Sequence, residues 1–213
     1  MNLQESILYK YAGLLSECTR ARLTGTRGTD DIYTLQVMDC LPSLEFLPSS
    51  GKVIDVGSGG GLPGIVWAVY RPDLQVILLD SIGKKCEAVR NIVISLGISN
   101  IDVICSRSED FARVNREAFD LAGARALASA GVCAELLSPL VKVGGHAITF
   151  KGEKVHEEIS EVGEKWGKLG LAKPALKFYG GNAKCILSWE KIKHCPKDYP
   201  RRSGLAGQKF FWE

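Results

Sequence analysis

The residues best suited to chemistry lie in one short stretch, KVIDVGSGGGLPG, which runs from Lys52 to Gly64. Apolar residues around Asp55 are typical of a buried strand, and the five glycines that follow indicate a tight turn into a helix. Glycine allows positive φ and lets a ligand lie against bare backbone. Backbone N–H groups at such a turn attract anionic groups. The stretch therefore predicts a ligand-binding turn at the end of a strand.

A second carboxylate stands at the end of the next apolar stretch, QVILLD, whose last residue is Asp80. In a sheet of parallel strands, ligands bind beyond the carboxyl ends of the strands. A carboxylate in that place can accept hydrogen bonds from ribose hydroxyls. This placement fits a nicotinamide dinucleotide and S-adenosylmethionine equally.

The register of the glycines separates these two ligands. A literal GxGxxG occurs within the stretch, but in the dinucleotide fingerprint the first glycine directly follows the strand. Here that residue is Gly57, and Leu62 then stands where the third glycine should be. Counted from Asp55, the pattern D-x-G-x-G-x-G, with Gly57, Gly59 and Gly61, resembles motif I of class I S-adenosylmethionine-dependent methyltransferases. In that motif the acidic residue orders the loop, and the loop backbone contacts the cofactor.

The elements that would position these residues alternate between strand and helix. Predicted strands cover residues 52–56, 75–80, 101–105, 119–122, 144–150, 175–179 and 185–190. Predicted helices cover residues 63–70, 84–96, 129–140 and 153–170. The last two strands flank Gly180-Gly181-Asn182, which is typical of a hairpin. We therefore predict an α/β, Rossmann-like class I methyltransferase fold, whose mostly parallel seven-stranded sheet ends in a C-terminal antiparallel hairpin.

The first fifty residues predict a helical extension. A first amphipathic helix is indicated by apolar residues at helical spacing: Leu3, Ile7, Tyr11, Leu14 and Cys18. A second helix, capped by Thr29 or Asp30, would carry Ile32, Leu35, Met38 and Leu41. The predicted organisation is an extension packed on the core (1–50), a methyltransferase domain (51–192) and a basic C-terminal tail (193–213).

Composition restricts the class of protein. The 213 residues are 46% hydrophobic and 24% charged, which is ordinary for a globular protein. Apolar runs stay below the roughly 20 residues of a membrane helix, and charges interrupt the N-terminal pattern, which argues against a signal peptide. The seven cysteines form no CxxC pair, so we expect free thiols in a reducing compartment and no metal site. The expectation is a cytoplasmic monomer with no membrane partner.

The net charge of +3 is unevenly distributed. Residues 191–209 contain six lysines and arginines, Lys197 among them, against the single acidic residue Asp198. A near-neutral body with a basic end is consistent with a polyanionic partner, and equally with a solvated tail.

The segment after the fourth strand limits the chemistry. Enzymes that methylate an exocyclic amine usually carry [D/N]-P-P-[F/Y] there, whereas this chain has Gly123-Ala124-Arg125-Ala126. Methylation of pyrimidine carbon 5 needs a nucleophilic cysteine, and neither Cys133 nor Cys195 stands in the usual context. Guanine N7 has an exposed lone pair and needs no general base, only an aligned methyl sulfonium and an oriented base. Arg125 would then be the catalytic candidate, in a positioning role.

Together these motifs resemble the bacterial RsmG (glucose-inhibited division protein B) family of 16S ribosomal RNA methyltransferases. The resemblance covers almost the whole chain through RLTGTR, DVGSGGGLPG, RPDLQVILLDSIGKK, SRSEDF, ARALA and YPRR. It implies transfer of a methyl group from S-adenosylmethionine to N7 of a specific guanosine in 16S rRNA. The substrate would be that rRNA or a precursor of the small ribosomal subunit.

The resemblance also implies roles for individual residues. Cofactor contacts would come from Gly57, Leu62, Ser108, Glu109 and Arg125, with Asp80 on the ribose. Candidates for RNA phosphate contacts are Lys84, Lys85, Lys151, Lys197, Arg201 and Arg202. Taken alone, Ser108-Glu109 fits a helix N-cap as well as it fits a cofactor contact. Arg125 likewise fits a surface ion pair as well as it fits a site residue. The tail departs from the family after YPRR, where Ala206, Gln208 and Phe210 replace Pro, Lys and Pro, so its RNA contacts stay open.

Two other functions remain possible from the sequence. One is a methyltransferase for a small molecule, for which removal of the basic tail should hardly matter. The other is an RNA-binding protein with a regulatory cofactor pocket; loss of activity in Asp80→Ala with intact RNA affinity would count against it.

Overall fold

The computed structural model describes residues 1–180 and 183–213. Within them the strands are β1 (Lys52–Val56), β2 (Gln75–Asp80), β3 (Ile101–Cys105), β4 (Phe119–Arg125), β5 (Val141–Lys151), β6 (Ala175–Tyr179) and β7 (Lys184–Glu190). The α-helices are α1 (Leu3–Glu17), α2 (Thr29–Ile32), α3 (Gly64–Tyr70), α4 (Gly83–Leu96), α5 (Ser108–Val114), α6 (Ala130–Leu137) and α7 (Val155–Val162). None of these helices is long and apolar enough to cross a membrane.

The seven strands form one sheet in the order β3-β2-β1-β4-β5-β7-β6. The pairs β1–β2, β2–β3 and β4–β5 are parallel, whereas β7 runs antiparallel to both β5 and β6. The predicted fold class, a mostly parallel seven-stranded sheet with a C-terminal antiparallel hairpin, is therefore confirmed. Of the predicted hairpin turn, Gly181 and Asn182 lie outside the described residues.

The chain forms two compact units, residues 1–106 (the first unit) and 107–213 (the second unit). The first unit holds α1 to α4 and β1 to β3, and the second holds α5 to α7 and β4 to β7. The three-part division at residues 50 and 192 stays a prediction.

The first helix forms as predicted, but it buries a different face. Asn2 and Glu5 form a capping box at its start. Its buried residues are Leu8, Tyr11, Ala12 and Leu15, whereas Leu3 is 73% exposed. These buried positions also follow helical spacing, and they bring the Tyr11 hydroxyl to 2.8 Å from the Gly60 carbonyl oxygen. The predicted stripe was therefore rotated relative to the true one.

The second predicted helix is irregular. It begins after Gly28, which has φ 82°, and no side chain caps it, so the prediction of a Thr29 or Asp30 cap was wrong. The α-helical turn passes into a π-helical segment (Tyr33–Val37) and then a 3₁₀ segment (Met38–Phe46). Because the number of residues per turn changes twice, the buried face does not keep one period. Ile32 is buried as predicted, but Leu35 is 56% exposed.

Several predicted boundaries in the second unit were also wrong. The strand expected over 144–150 runs from Val141 to Lys151. The strand expected to end at Ala122 continues to Arg125. The helix expected over 153–170 divides at Gly163, whose φ of 59° ends α7, and a 3₁₀ segment (Lys165–Leu169) follows. A left-handed residue breaks the hydrogen-bond ladder of a right-handed helix, although the apolar spacing continues across it.

Candidate cofactor-binding site

The glycine turn between β1 and α3 is tied to the neighbouring strand by its own backbone. The N–H groups of Gly57 and Ser58 both donate to the Leu79 carbonyl oxygen, at 2.8 and 3.0 Å. Gly57, Gly59 and Gly61 all have positive φ, at 70°, 55° and 103°. Side chains at these positions would be strained, so glycine spacing is what lets the chain make this turn.

The glycines of the turn serve two different purposes. A β-carbon at Gly64 would overlap the Leu78 side chain, and one at Gly61 would lie 2.6 Å from Ile65 Cδ1. These two glycines allow close packing of strand, turn and helix. Among the described residues, a β-carbon at Gly59 would meet within 4 Å only the Gly57 carbonyl oxygen, at 3.9 Å. The turn is therefore open at Gly59, which is where a ligand such as S-adenosylmethionine can approach its backbone.

Asp55 fixes the end of the turn. It is fully buried, and its Oδ2 accepts a hydrogen bond of 2.9 Å from the N–H of Gly64, the first residue of α3. The first N–H groups of a helix have no partner within the helix, so a carboxylate there is stabilising. Asp55 thus orders the loop, as motif I would require of it. Leu62, which precedes the N-cap Pro63, is also buried.

Asp80 links the glycine turn to the loop that follows β2. Its Oδ2 accepts from the Gly59 N–H and its Oδ1 from the Ile82 N–H, both at 2.9 Å. The residue is 9% exposed. Each carboxylate oxygen can accept a second hydrogen bond, so a ribose hydroxyl could still bind here. The geometry thus fits the predicted ribose contact.

Cys86, which packs at this strand end, is not set up as a nucleophile. The Cys86 Sγ lies 3.3 Å from the Asp80 carbonyl oxygen. Burial, together with the neighbouring Cys105 thiol, raises the pKa of Cys86 to about 11. The thiol therefore stays protonated at neutral pH and acts as a small packing group.

In the second unit, Ser108 and Glu109 open helix α5. The N-cap is Arg107 and no side chain caps the helix, so the alternative that Ser108-Glu109 is simply an N-cap was wrong. The Ser108 hydroxyl donates to Glu109 Oε2 at 3.0 Å, and the Gly204 N–H donates to Glu109 Oε1 at 2.7 Å. Glu109 is 7% exposed. Its carboxylate is thus oriented from both sides.

Arg125 is the last residue of β4 and pairs in register with Phe150 of β5. It is half-buried. The next residue, Ala126, is exposed and has φ 53°, a left-handed conformation that costs energy for a residue with a β-carbon. The chain therefore turns sharply directly after Arg125, at the carboxyl end of the strand.

The six basic residues predicted to bind RNA lie in different environments. Lys84, Lys197 and Arg202 are exposed, and Lys85 is half-buried in the first turn of α4. Lys151 is engaged within the protein, since its Nζ lies 2.8 Å from a Glu158 carboxylate oxygen and donates to the Ala128 carbonyl.

Arg201 is also engaged within the protein. It donates to both carboxylate oxygens of the buried Glu135, at 2.7 and 2.6 Å. Hydrogen bonding to Glu135 raises the pKa of Arg201 above its ordinary value. The RNA-binding roles of these residues stay predictions, and the geometry favours the exposed ones.

Sequence reasoning missed that the tail (residues 193–213) is folded onto the second unit. Phe211 and Trp212 are buried, and a β-carbon at Gly131 of α6 would overlap the Trp212 ring. Lys191, just before the tail, is fully buried against Glu117 and Ser138, and burial lowers its pKa. The aromatic ending FFWE was the signal that could have indicated a packed tail.

Comparison with known proteins places the chain in a family. A profile for "GidB: rRNA small subunit methyltransferase G" matches residues 4–187. The ribosomal RNA small subunit methyltransferase G of Rubrobacter xylanophilus is 37% identical, over 97% of this chain and 83% of that protein. The protein of the same name from Thermotoga neapolitana is 32% identical, over 96% and 92%.

Solved structures support the fold alone. An rRNA methylase from Streptococcus thermophilus has a TM-score of 0.54 at 17% identity, over 73% of this chain and 95% of that chain. A mutant of MtNAS in complex with S-adenosylmethionine has a TM-score of 0.58 at 15% identity, over 90% and 74%. The fold, the ordered glycine turn and the family match agree, and the chain belongs to the rRNA small subunit methyltransferase G family.

Proposed function

We propose that the protein transfers the methyl group of S-adenosylmethionine to N7 of a specific guanosine in 16S ribosomal RNA. Membership of the family makes it an S-adenosylmethionine-dependent methyltransferase of small-subunit rRNA. The observation that carries the proposal is the glycine turn, which Asp55 and Asp80 order and which is open at Gly59. The choice of N7 rests on the family resemblance and on the chemistry of the segment around Arg125.

The residues have distinct roles in this proposal. The cofactor, when bound, supplies a methyl group on a positively charged sulfur. The turn (Gly57 to Leu62) holds its methionine part against bare backbone, and Asp80 accepts hydrogen bonds from its ribose. Ser108 and Glu109 contact the adenine. Both carboxylates, of Asp80 and Glu109, are held by hydrogen bonds within the protein, which lowers the cost of ordering them on binding.

No residue is needed to remove a proton. The N7 lone pair of guanine forms the new bond to the methyl carbon while the bond from that carbon to sulfur breaks. The ring gains the positive charge that the sulfur loses, so the charge balances without an acid or a base. Arg125, at the end of β4, orients the base or the RNA backbone. The exposed Lys84, Lys197 and Arg202 contact phosphates.

The test is methylation of 16S rRNA from a strain that lacks the modification. Purified protein and labelled S-adenosylmethionine are incubated with naked RNA, with a subunit precursor and with mature subunits, and the product is mapped by mass spectrometry. We expect 7-methylguanosine at one nucleotide. Label on an exocyclic amine would contradict the N7 assignment, and label on protein or a small metabolite would contradict the rRNA substrate.

An Asp80→Ala variant separates enzyme from binding protein. We expect it to lose methyl transfer while it keeps its affinity for RNA, because Asp80 is assigned to the cofactor and is not among the residues proposed to contact RNA. Unchanged transfer would contradict the assignment of Asp80. The proposal also includes a cytoplasmic location and a monomeric state. Light scattering of the purified protein checks the monomeric state.

A further inference from the structure

The tail is held to the second unit by three glutamates. Glu117 accepts from the Cys195 N–H at 2.7 Å and lies 2.5 Å from His194 Nδ1. Glu135 and Glu109 make the other two connections. Each glutamate belongs to a segment far from the tail in sequence, so the tail has a defined position on this unit.

The Arg201–Glu135 pair is the strongest of these connections. Two parallel hydrogen bonds join the guanidinium to a carboxylate that is 2% exposed, and Arg201 also donates to the Lys209 carbonyl at 2.6 Å. Paired hydrogen bonds of this kind define orientation as well as distance. The pair therefore holds the tail at Arg201 against helix α6.

Three residues later the tail reaches helix α5. The Ser203 hydroxyl donates to Asp110 at 3.1 Å, and the Gly204 N–H donates to Glu109 at 2.7 Å. Gly204 has φ 81°, which residues with a β-carbon rarely adopt, so another residue there would shift the backbone that carries this N–H. A β-carbon at Gly204 would meet no atom of the described residues within 4 Å, so the requirement for glycine comes from its backbone conformation and not from a clash with neighbours.

We propose that the segment Arg201–Gly204 is a positioning element for cofactor binding, which acts by holding the Glu109 carboxylate in place. Without the Gly204 N–H, Ser108 would be the one remaining hydrogen-bond partner of that carboxylate among the described residues, and the carboxylate could rotate about the bond to its Cγ. Binding groups need support from neighbouring hydrogen bonds to stay within a fraction of an ångström of their working position. This inference rests on the proposed function, in which Glu109 contacts the adenine.

The experiment compares two matched substitutions in the same tail, Gly204→Ala and Gly207→Ala. A β-carbon at Gly207 also meets nothing within 4 Å, but Gly207 is not in the left-handed region. We expect Gly204→Ala to raise the Kd for S-adenosylmethionine about tenfold, as for the loss of one hydrogen bond to a charged group. Gly207→Ala should leave the Kd within about twofold, and both should keep the RNA affinity of the wild type.

Two further variants exclude a general effect on folding. Gly204→Asn should bind the cofactor nearly as well as wild type, because asparagine tolerates the left-handed conformation. In a Glu109→Ala background, Gly204→Ala should have no further effect on the Kd, because the carboxylate that it positions is gone. A structural defect in the tail would instead lower the melting temperature and weaken binding in both backgrounds.

The outcomes separate this inference from the function on which it rests. If Glu109→Ala weakens cofactor binding but Gly204→Ala does not, the inference is overturned and the cofactor role of Glu109 stands. If Gly204→Ala acts equally with and without Glu109, the inference is also overturned. If Glu109→Ala binds the cofactor as wild type does, or wild type does not bind it, the proposed role of Glu109 fails and this inference fails with it.

Discussion

Asp80 in the first unit and Glu109 in the second are two buried carboxylates that are held in contrasting ways. Asp80 ends β2 and Glu109 lies in the helix after β3, and each accepts one hydrogen bond on each of its two carboxylate oxygens. The donors to Asp80 are the Gly59 N–H of the glycine turn and the Ile82 N–H two residues after Asp80, both in the first unit. One donor to Glu109 is its neighbour, but the other is Gly204, 95 residues later.

The contrast shows that the two carboxylates depend on different amounts of the chain. The surroundings of Asp80 need only the strands and turns of a continuous motif. The surroundings of Glu109 need a folded tail, which in turn depends on ion pairs and aromatic packing. Substitutions in the tail should therefore affect Glu109 and leave Asp80 unchanged.

The largest expected effect comes from Arg201→Gln. It leaves the Glu135 carboxylate buried without its cation, which costs about 3–5 kcal/mol of the free energy of unfolding. Urea denaturation measures this, with Arg202→Gln as the matched control, expected to change stability by less than about 0.5 kcal/mol. The double variant Arg201→Gln/Glu135→Gln should recover part of the loss, since no buried charge remains. Equal effects of Arg201→Gln and Arg202→Gln would show that the tail is not anchored here.

The next effect tests the packing of the glycine turn. Gly64→Ala places a methyl group into the Leu78 side chain and against Asp55 Cβ, and overpacking of this kind costs about 1–3 kcal/mol of stability. Gly83→Ala is the control, because a β-carbon there meets nothing within 4 Å and alanine favours the helix. In thermal unfolding, the control Gly83→Ala should have a melting temperature equal to or above that of the wild type. A Gly64→Ala variant as stable as Gly83→Ala would disprove the close packing.

A third prediction compares the two carboxylates by replacing each with the corresponding amide. The Asp80 carboxylate accepts from two backbone N–H groups, so the NH₂ group in Asp80→Asn must face one of these donors. This variant should lose about 1–3 kcal/mol of the free energy of unfolding. Glu109→Gln should lose less than about 1 kcal/mol, because the Ser108 hydroxyl can reverse its role and accept. Denaturant titrations of both variants test this order. The opposite order would mean that the donors are not those described.

The smallest effect concerns pH and the tail. Burial alone would raise the pKa of Glu117, but hydrogen bonds from His194 and the Cys195 N–H, with the charge of Lys191, lower the pKa below its ordinary value. A depressed pKa contributes stability above the unfolded value of about 4.3, and this is lost as the pH falls through the folded value. Glu117→Gln should therefore make stability depend less on pH below about 4.3. Unfolding followed between pH 3 and 6 measures this, and an unchanged slope would contradict it.

Much of the first unit could be predicted because its determinants are local. Strands β1 and β2 cover the predicted residues, 52–56 and 75–80, and the glycine turn follows from five glycines within eight residues. The α1 stripe and the second helix were less predictable. Several faces of α1 fit the helical period, and the period of the second helix changes along its length.

The two carboxylates that order the glycine turn could also be predicted from the sequence. The positions of Asp55 and Asp80 follow from their places at strand ends, and the structure gives each a backbone partner. The charge of the tail was misleading, because a count of lysines and arginines does not reveal that Arg201 faces a glutamate 66 residues earlier. The RNA-binding assignments consequently stay predictions.

The sequence by itself determined the α/β order of elements, the register of the glycine motif from Asp55 and the resemblance to the family. These depend on residues close together in the chain, whose periodicity and conformational preferences can be read directly. Only the tertiary structure decided which glycines pack and which stays open, that the tail is folded, and that Gly204 supports Glu109. Such contacts join segments far apart in sequence, and their energy comes from burial and hydrogen-bond geometry that exist only after the chain has folded.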